Sequence, residues 1–158
     1  MSSRKTLPTA KAQAMMEAAC GIAMFVAIAG LSTAADAQSP KVVQRMALEA
    51  ADLLKDVDYT NQICEATLTA TFDWGGAPED DLFKYSPEGY CNAALRAIQQ
   101  VCRDPAGKTY VKRQIKSLTC DFGATRSIAL KDGVIDYKIN FSSANDIEFV
   151  YEFLENKL

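Results

Sequence analysis

The chain contains no histidine among its 158 residues. Histidine is the commonest general base near neutral pH and the commonest metal ligand, so its absence excludes histidine-based catalytic triads and histidine-ligated zinc sites. No catalytic or cofactor motif stands in their place. A basic excess is lacking too, because 17 Lys and Arg residues stand against 20 Asp and Glu residues, a formal net charge of −3. This balance argues against a surface devoted to nucleic-acid phosphates.

A long hydrophobic run is also missing. The apolar run near the N-terminus, Ala18–Leu31, has 14 residues, whereas a helix that spans a bilayer needs about 20. Basic residues precede this run, and Ala35-Asp36-Ala37 after it has the small-x-small form of a cleavage site. This order predicts a secretory signal peptide over residues 1–37, cleaved after Ala37. An uncleaved anchor is the alternative.

The cysteines that follow the predicted signal peptide are Cys64, Cys91, Cys102 and Cys120. An even number of cysteines in an exported chain predicts two disulfides, because an oxidising compartment lets them persist. The alternative is a set of buried free thiols in a chain that stays in the cytosol. No C-x-x-C pair is present, which argues against a zinc site.

Helix geometry limits how these cysteines can pair. If Cys91 and Cys102 share one helix, they lie about 16 Å apart, whereas a disulfide needs Cα atoms within about 7 Å. They therefore cannot bond to each other. A tight connection after Cys102 predicts that the next helix returns antiparallel. This return favours Cys91–Cys120 with Cys64–Cys102 over Cys64–Cys91 with Cys102–Cys120.

Hydrophobic periodicity predicts the elements of residues 38–158, which we expect to form a single disulfide-bonded domain. Apolar residues spaced by three and four predict a helix over Lys41–Val57 with an inner stripe that includes Val43 and Ala50. Alternation over Cys64–Trp74 predicts a half-buried strand. Two further helices are predicted where an N-cap residue precedes proline, at Ser86-Pro87 and Asp104-Pro105.

The C-terminal part changes to a period of two and then returns to a helix near Asn145. Asp132-Gly133 predicts a type I′ hairpin turn, because both central residues of that turn need positive φ. The turn sets a register that pairs Lys131 with Val134, Leu130 with Ile135 and Ile128 with Tyr137. The element order is then α-β-α-α-β-β-β-α. We expect an α+β fold in which a small antiparallel sheet of about four strands, with a C-terminal meander, packs against about four helices.

Two surfaces are predicted to meet a partner. Phe149 and Phe153 project from the last helix about 160° away from its expected inner stripe, so they are a hypothetical docking surface or self-association face. Basic residues on the third helix form a row that fits an acidic partner or a lipid headgroup: Lys108, Lys112, Arg113 and Lys116. An ordinary solvated helix face and aromatics that lie flat on the surface are the simpler interpretations.

The sequence therefore favours a small, non-enzymatic protein, periplasmic or secreted, that binds a protein or envelope component. No cofactor, metal site, catalytic residue or nucleic-acid partner is expected, and no stable membrane span once the signal is cleaved. One alternative is a carboxylate-dependent hydrolase, which needs two acids within about 5–10 Å and a raised pKa. Another is a structural envelope protein held by an uncleaved signal anchor.

The first prediction concerns the N-terminus. Because cleavage is expected after Ala37, the chain recovered from the periplasm or the culture medium should begin at Gln38, as measured by intact-mass spectrometry. A mass that retains residues 1–37 would contradict the prediction and favour the anchored alternative.

Overall fold

The computed structural model describes residues 39–75 and 79–158, so the predicted signal peptide lies outside the described residues. The elements in chain order are α1 (Pro40–Cys64), β1 (Thr69–Phe72), α2 (Glu79–Lys84), α3 (Pro87–Val101), α4 (Pro105–Gln114), β2 (Ser117–Phe122), β3 (Ser127–Lys131), β4 (Val134–Ile139) and α5 (Asp146–Glu155). Apart from the short α2, this is the predicted order. The α+β fold is confirmed.

Local sequence explains where the helices begin. Pro40 opens α1 behind Ser39, whose hydroxyl accepts a hydrogen bond from the Val42 amide at 3.4 Å. Pro105 opens α4 behind Asp104, whose carboxylate accepts hydrogen bonds of 2.8 and 3.0 Å from the next two free amides. A proline at the first helical position costs no hydrogen bond, because that amide has no partner in the helix.

The N-terminal half of α1 differs from the predicted stripe. Val43 is 54% exposed, and Glu49 is buried at 6% exposure. The reason is that Glu49 forms polar contacts with the start of α3, which turns the neighbouring apolar positions outward. The helix also continues to Cys64 and ends at Glu65 in the left-handed conformation (φ 51°), so the predicted strand over Cys64–Trp74 shortens to β1.

The sheet is mixed, and the predicted antiparallel sheet with a C-terminal meander is wrong. The strand order is β1-β2-β4-β3, with β2 parallel to both β1 and β4. Only β3 and β4 are antiparallel. Three helices separate β1 from β2, and such a crossover returns the chain in the same direction. Alternation along a strand shows which face is buried but carries no information about its direction.

The hairpin between β3 and β4 has the predicted register. Lys131 pairs with Val134, Leu130 with Ile135, and Ile128 with Tyr137. Positive φ angles of 54° and 87° at Asp132 and Gly133 form the turn. The prediction held because the turn type fixes the register.

The core lies between one face of the sheet and the helices. One row of that face runs across all four strands as Ala70, Leu118, Ile135 and Leu130. Buried side chains of α3 and α5, such as Leu95, Ile98, Val150 and Leu154, belong to the same core. The opposite face of the central strands carries polar residues, with Lys138 donating to Asp121 at 2.9 Å.

Two disulfides fasten α3 to its neighbours. Cys64 at the end of α1 is bonded to Cys102, with Cα atoms 5.2 Å apart. Cys91 in α3 is bonded to Cys120 in β2, with Cα atoms 5.9 Å apart. This is the favoured pairing, and it is confirmed. Each bond stabilises a small domain by about 2–4 kcal/mol.

Candidate functional site

A groove of about 1010 Å³ opens where α3 and α5 begin. Its lining comes from the end of α2, the outer face of α3 and the first turn of α5. A cavity of this size matches the upper range of small-ligand sites. It is the candidate functional site.

The floor of the groove is α3 itself, because two of its lining residues have little or no side chain. Gly89 and Ala93 lie one helical turn apart on that face. A Cβ atom placed on Gly89 would meet only Ser86, at an ordinary 3.7 Å. By contrast, a Cβ atom on Gly107 would lie 2.2 Å from the Val101 carbonyl oxygen. Packing within the protein therefore requires glycine at position 107 but not at position 89.

An aromatic cluster forms one wall. The Tyr85 ring stacks on Phe141 with centroids 4.5 Å apart and planes inclined by 13°. Tyr90 meets Phe141 in a T-shaped contact at 5.1 Å, and its hydroxyl donates to the Phe141 carbonyl oxygen at 3.3 Å. The ammonium of Lys84 lies 4.9 Å from the centre of the Tyr85 ring. These contacts hold the wall in one arrangement.

The start of α5 is fixed to the sheet through Asp146, which is 9% exposed. Its carboxylate accepts a hydrogen bond from the buried Tyr137 hydroxyl and pairs with Arg126 at 3.4 Å. Arg126 also donates to the Ala144 carbonyl oxygen at 2.6 Å. Burial, followed by the contact with Asp146, raises the pKa of Tyr137. The Tyr137 hydroxyl therefore stays protonated near neutral pH and donates its hydrogen bond to Asp146.

The start of α3 is fixed to α1 through Glu49. The Glu49 carboxylate accepts hydrogen bonds from the Ser86 hydroxyl at 3.0 Å and from the Glu88 amide at 2.9 Å, and it pairs with Arg45. Ser86 was expected to cap α3, but its side chain makes no capping bond. A carboxylate from another helix supplies the acceptor instead, which also suits the partial positive charge of a helix N-terminus.

A second group of acids lies between α1 and α3. The Asn92 amide donates to Asp56 at 2.6 Å and to Glu88 at 3.4 Å. Burial, a hydrogen bond to Asp56 and repulsion from that carboxylate raise the pKa of Glu88 to about 7. Asn92 lines the groove, whereas Glu88 does not. The acids therefore border the groove without facing into it.

Two of the four charged side chains that line the groove are uncompensated. Arg96 and Glu148 line it, and neither has an ion pair or a side-chain hydrogen bond within residues 39–75 and 79–158. Lys84 contributes a second cation, while Asp146 is already paired with Arg126. Lys84 is already in contact with the Tyr85 ring, so the free groups are one cation, Arg96, and one anion, Glu148.

None of the residues predicted to form a partner surface lines this groove. Phe149 and Phe153 are half-buried against the core, with Arg126 4.1 Å and Lys157 5.5 Å from the respective ring centres. On α4, Lys108 and Lys112 lie 3.1 and 4.0 Å from Glu65. Arg113 and Lys116 border a separate, smaller cavity beside Gly133.

Exposed apolar side chains occur instead on α1, where more than half of each of Val43, Leu48, Leu54 and Tyr59 is accessible. The groove residues themselves were missed by sequence reasoning. Their one visible signal is Gly89 inside a predicted helix, because glycine there costs stability and needs a reason.

No helix of the described ranges combines the length and the apolar character needed to cross a membrane. The same ranges contain no group of three or more acidic or cysteine side chains arranged to hold a metal ion. The chain matches no protein-family model, and no curated protein or solved structure is significantly similar to it.

The contact between Tyr137 and Asp146 yields a stability prediction. Tyr137→Phe removes the hydroxyl and leaves a buried acceptor without that donor, so the free energy of unfolding should fall by about 1–3 kcal/mol. The matched control is Tyr151→Phe, since the Tyr151 hydroxyl bonds to Glu155 at the surface and its loss should change stability by less than about 0.5 kcal/mol. Urea denaturation measures both, and equal losses would contradict the assignment.

Glu88 yields a pH prediction. Its pKa is about 7 in the folded protein, against an ordinary value of 4.5. Between these values the unfolded chain loses a proton that the folded protein keeps, so stability should fall as pH rises from about 4.5 to 7. Screening of this half-exposed group limits the change to about 1 kcal/mol.

The glutamine of Glu88→Gln is uncharged at every pH, so this variant should not lose stability between about pH 4.5 and 7 when urea denaturation is repeated across that range. Glu152→Gln, on the exposed side of α5, is the control and should lose stability as the wild type does. The same pH slope in all three proteins would show that Glu88 is not responsible.

Proposed function

We propose that this is a small exported, non-enzymatic protein of the periplasm or the extracellular space. In this proposal, the groove between α3 and α5 binds a protein segment or another component of the cell envelope. The N-terminal signal pattern supports export, and so do the two disulfides, because such bonds persist in oxidising compartments.

Gly89 is the observation that carries the binding proposal. Glycine is one of the poorest helix-forming residues, yet no contact within the described structure requires it here, at the third position of α3. A side chain at this position would project into the groove. A ligand that approaches the helix closely would need an accessible floor, so this glycine supports the binding proposal.

The rigidity of the groove supports the same proposal. Contacts of Phe141 fix its aromatic wall. Contacts of Asp146 fix the start of α5, and contacts of Glu49 fix the start of α3. A preformed site loses little conformational entropy when a ligand binds. The surface of Phe149 and Phe153 offers less free area, because cations lie over both rings.

A carboxylate-dependent hydrolase is the second candidate, and one observation favours it. Glu88 has a pKa of about 7 and Asp56 beside it, which is the pairing of a proton donor with a second acid. Against it, Glu88 does not line the groove. Hydrolysis of an envelope polymer that disappears in Glu88→Gln, with binding retained, would favour this candidate.

Blocking the groove tests the binding proposal. Gly89→Trp should place a large side chain on the floor in the middle of the groove and abolish covalent cross-linking to the native partner, measured with the full chain in intact cells. Gly89→Ala is the matched smaller change, because its single methyl group keeps most of the space and suits a helix at least as well as glycine does. The alanine variant should give a weaker adduct than the wild type, because its methyl group lies on the floor that the ligand approaches.

Both variants must show wild-type circular dichroism and intact disulfides. An adduct that persists in Gly89→Trp, or the absence of an adduct in all three proteins, would contradict binding in the groove.

A further inference from the structure

The length of the groove limits its ligand. Ser86, just before α3, and Arg96 on α3 both line it and stand ten positions apart. At about 1.5 Å per residue, this stretch of helix measures about 15 Å. An extended polypeptide advances about 3.3 Å per residue, so the groove matches four or five residues of a bound chain.

The middle of the groove suits an apolar side chain. Its floor is Gly89 and Ala93, and Ile147 at the start of α5 also lines the groove. This section presents no charged group of α3, since the lining charge of that helix is at Arg96. Burial of one leucine- or phenylalanine-sized side chain here would remove apolar surface from water on both partners.

The charges favour a carboxylate on the ligand. Arg96 and Lys84 line the groove, and among the described residues Arg96 is the one of the two without an ion-pair or ring contact, since Lys84 lies over the Tyr85 ring. The Arg96 guanidinium has no ion pair or hydrogen bond within the described part of the chain, and its planar fork is suited to binding a carboxylate through two parallel hydrogen bonds. An acidic side chain or a C-terminal carboxylate would supply that partner.

The aromatic wall argues against a glycan. A sugar ring stacks on the free face of an aromatic side chain, but the Tyr85 ring is already stacked on Phe141, and Lys84 lies over it. The tyrosine therefore offers its edge and hydroxyl more readily than a flat platform.

From these observations, and resting on the proposed function, we infer that the ligand is a short extended peptide segment with an apolar side chain and a carboxylate. The apolar side chain packs on Gly89 and Ala93 beside Ile147. The carboxylate pairs with Arg96. Arg96 is thus a specificity-determining residue of the groove.

Selection from a random library tests this inference. Phage that display randomised five-residue segments are panned against the full chain with its disulfides intact, and the enriched peptides are synthesised for fluorescence anisotropy. We expect enriched peptides to contain an acidic residue and an apolar residue. Arg96→Gln should weaken their binding about tenfold, and Arg96→Glu should select basic peptides instead.

The control variant is Arg103→Glu, which changes an exposed arginine just after α3 that does not line the groove. It should leave the selected peptides and their affinities unchanged. Changing the acidic residue of the peptide to its amide should weaken binding to the wild type but not to Arg96→Gln. Enriched peptides without acids, or an equal response to Arg103→Glu, would overturn the inference.

A binding assay with a glycan distinguishes failure of this inference from failure of the proposed function. Binding of the N-acetylglucosamine tetramer, lost in Gly89→Trp and unmatched by any peptide, would overturn the peptide inference and leave the groove as a binding site. If no peptide is enriched, no glycan binds and no adduct depends on position 89, the peptide inference and the proposed function are both overturned.

Discussion

The covalent fixation of α3 is the constraint on which the rest of the molecule depends. Cys91 near its start is bonded to the sheet, and Cys102 just past its end is bonded to α1. A helix held at both ends cannot slide or rotate against its neighbours. The groove floor, which is the outer face of α3, therefore keeps its position without any contribution from a ligand. Preorganisation of this kind favours binding because little order remains to be imposed.

Buried acidic side chains stabilise the starts of two helices. Glu49 accepts hydrogen bonds at the start of α3, and Asp146 in the first turn of α5 is held by Tyr137 and Arg126. Both positions are ones where a helix favours negative charge. These two acids thus stabilise the starts of α3 and α5, whereas Arg96 in the groove has no ion pair or side-chain hydrogen bond among the described residues.

Sequence reasoning succeeded where a local rule has a single geometric outcome. The Asp132-Gly133 turn fixed the hairpin register, and the rigid length of a helix excluded a bond between Cys91 and Cys102. It failed where distant contacts decide. Strand direction depends on the crossover between β1 and β2, and the phase of α1 depends on the burial of Glu49. The groove was invisible because α2, α3 and α5 each supply only part of it.

The order of the cysteines along the chain has a consequence for biosynthesis. The two disulfides interleave, since the first cysteine of residues 38–158 is bonded to the third and the second to the fourth. A chain that emerges from its N-terminal end presents Cys64 and Cys91 first, and these are not partners. An oxidase that joins cysteines in order of emergence forms a non-native bond. Unless oxidation is delayed until β2 has emerged, the native pairs then require thiol–disulfide exchange, and an isomerase would raise the yield of folded protein.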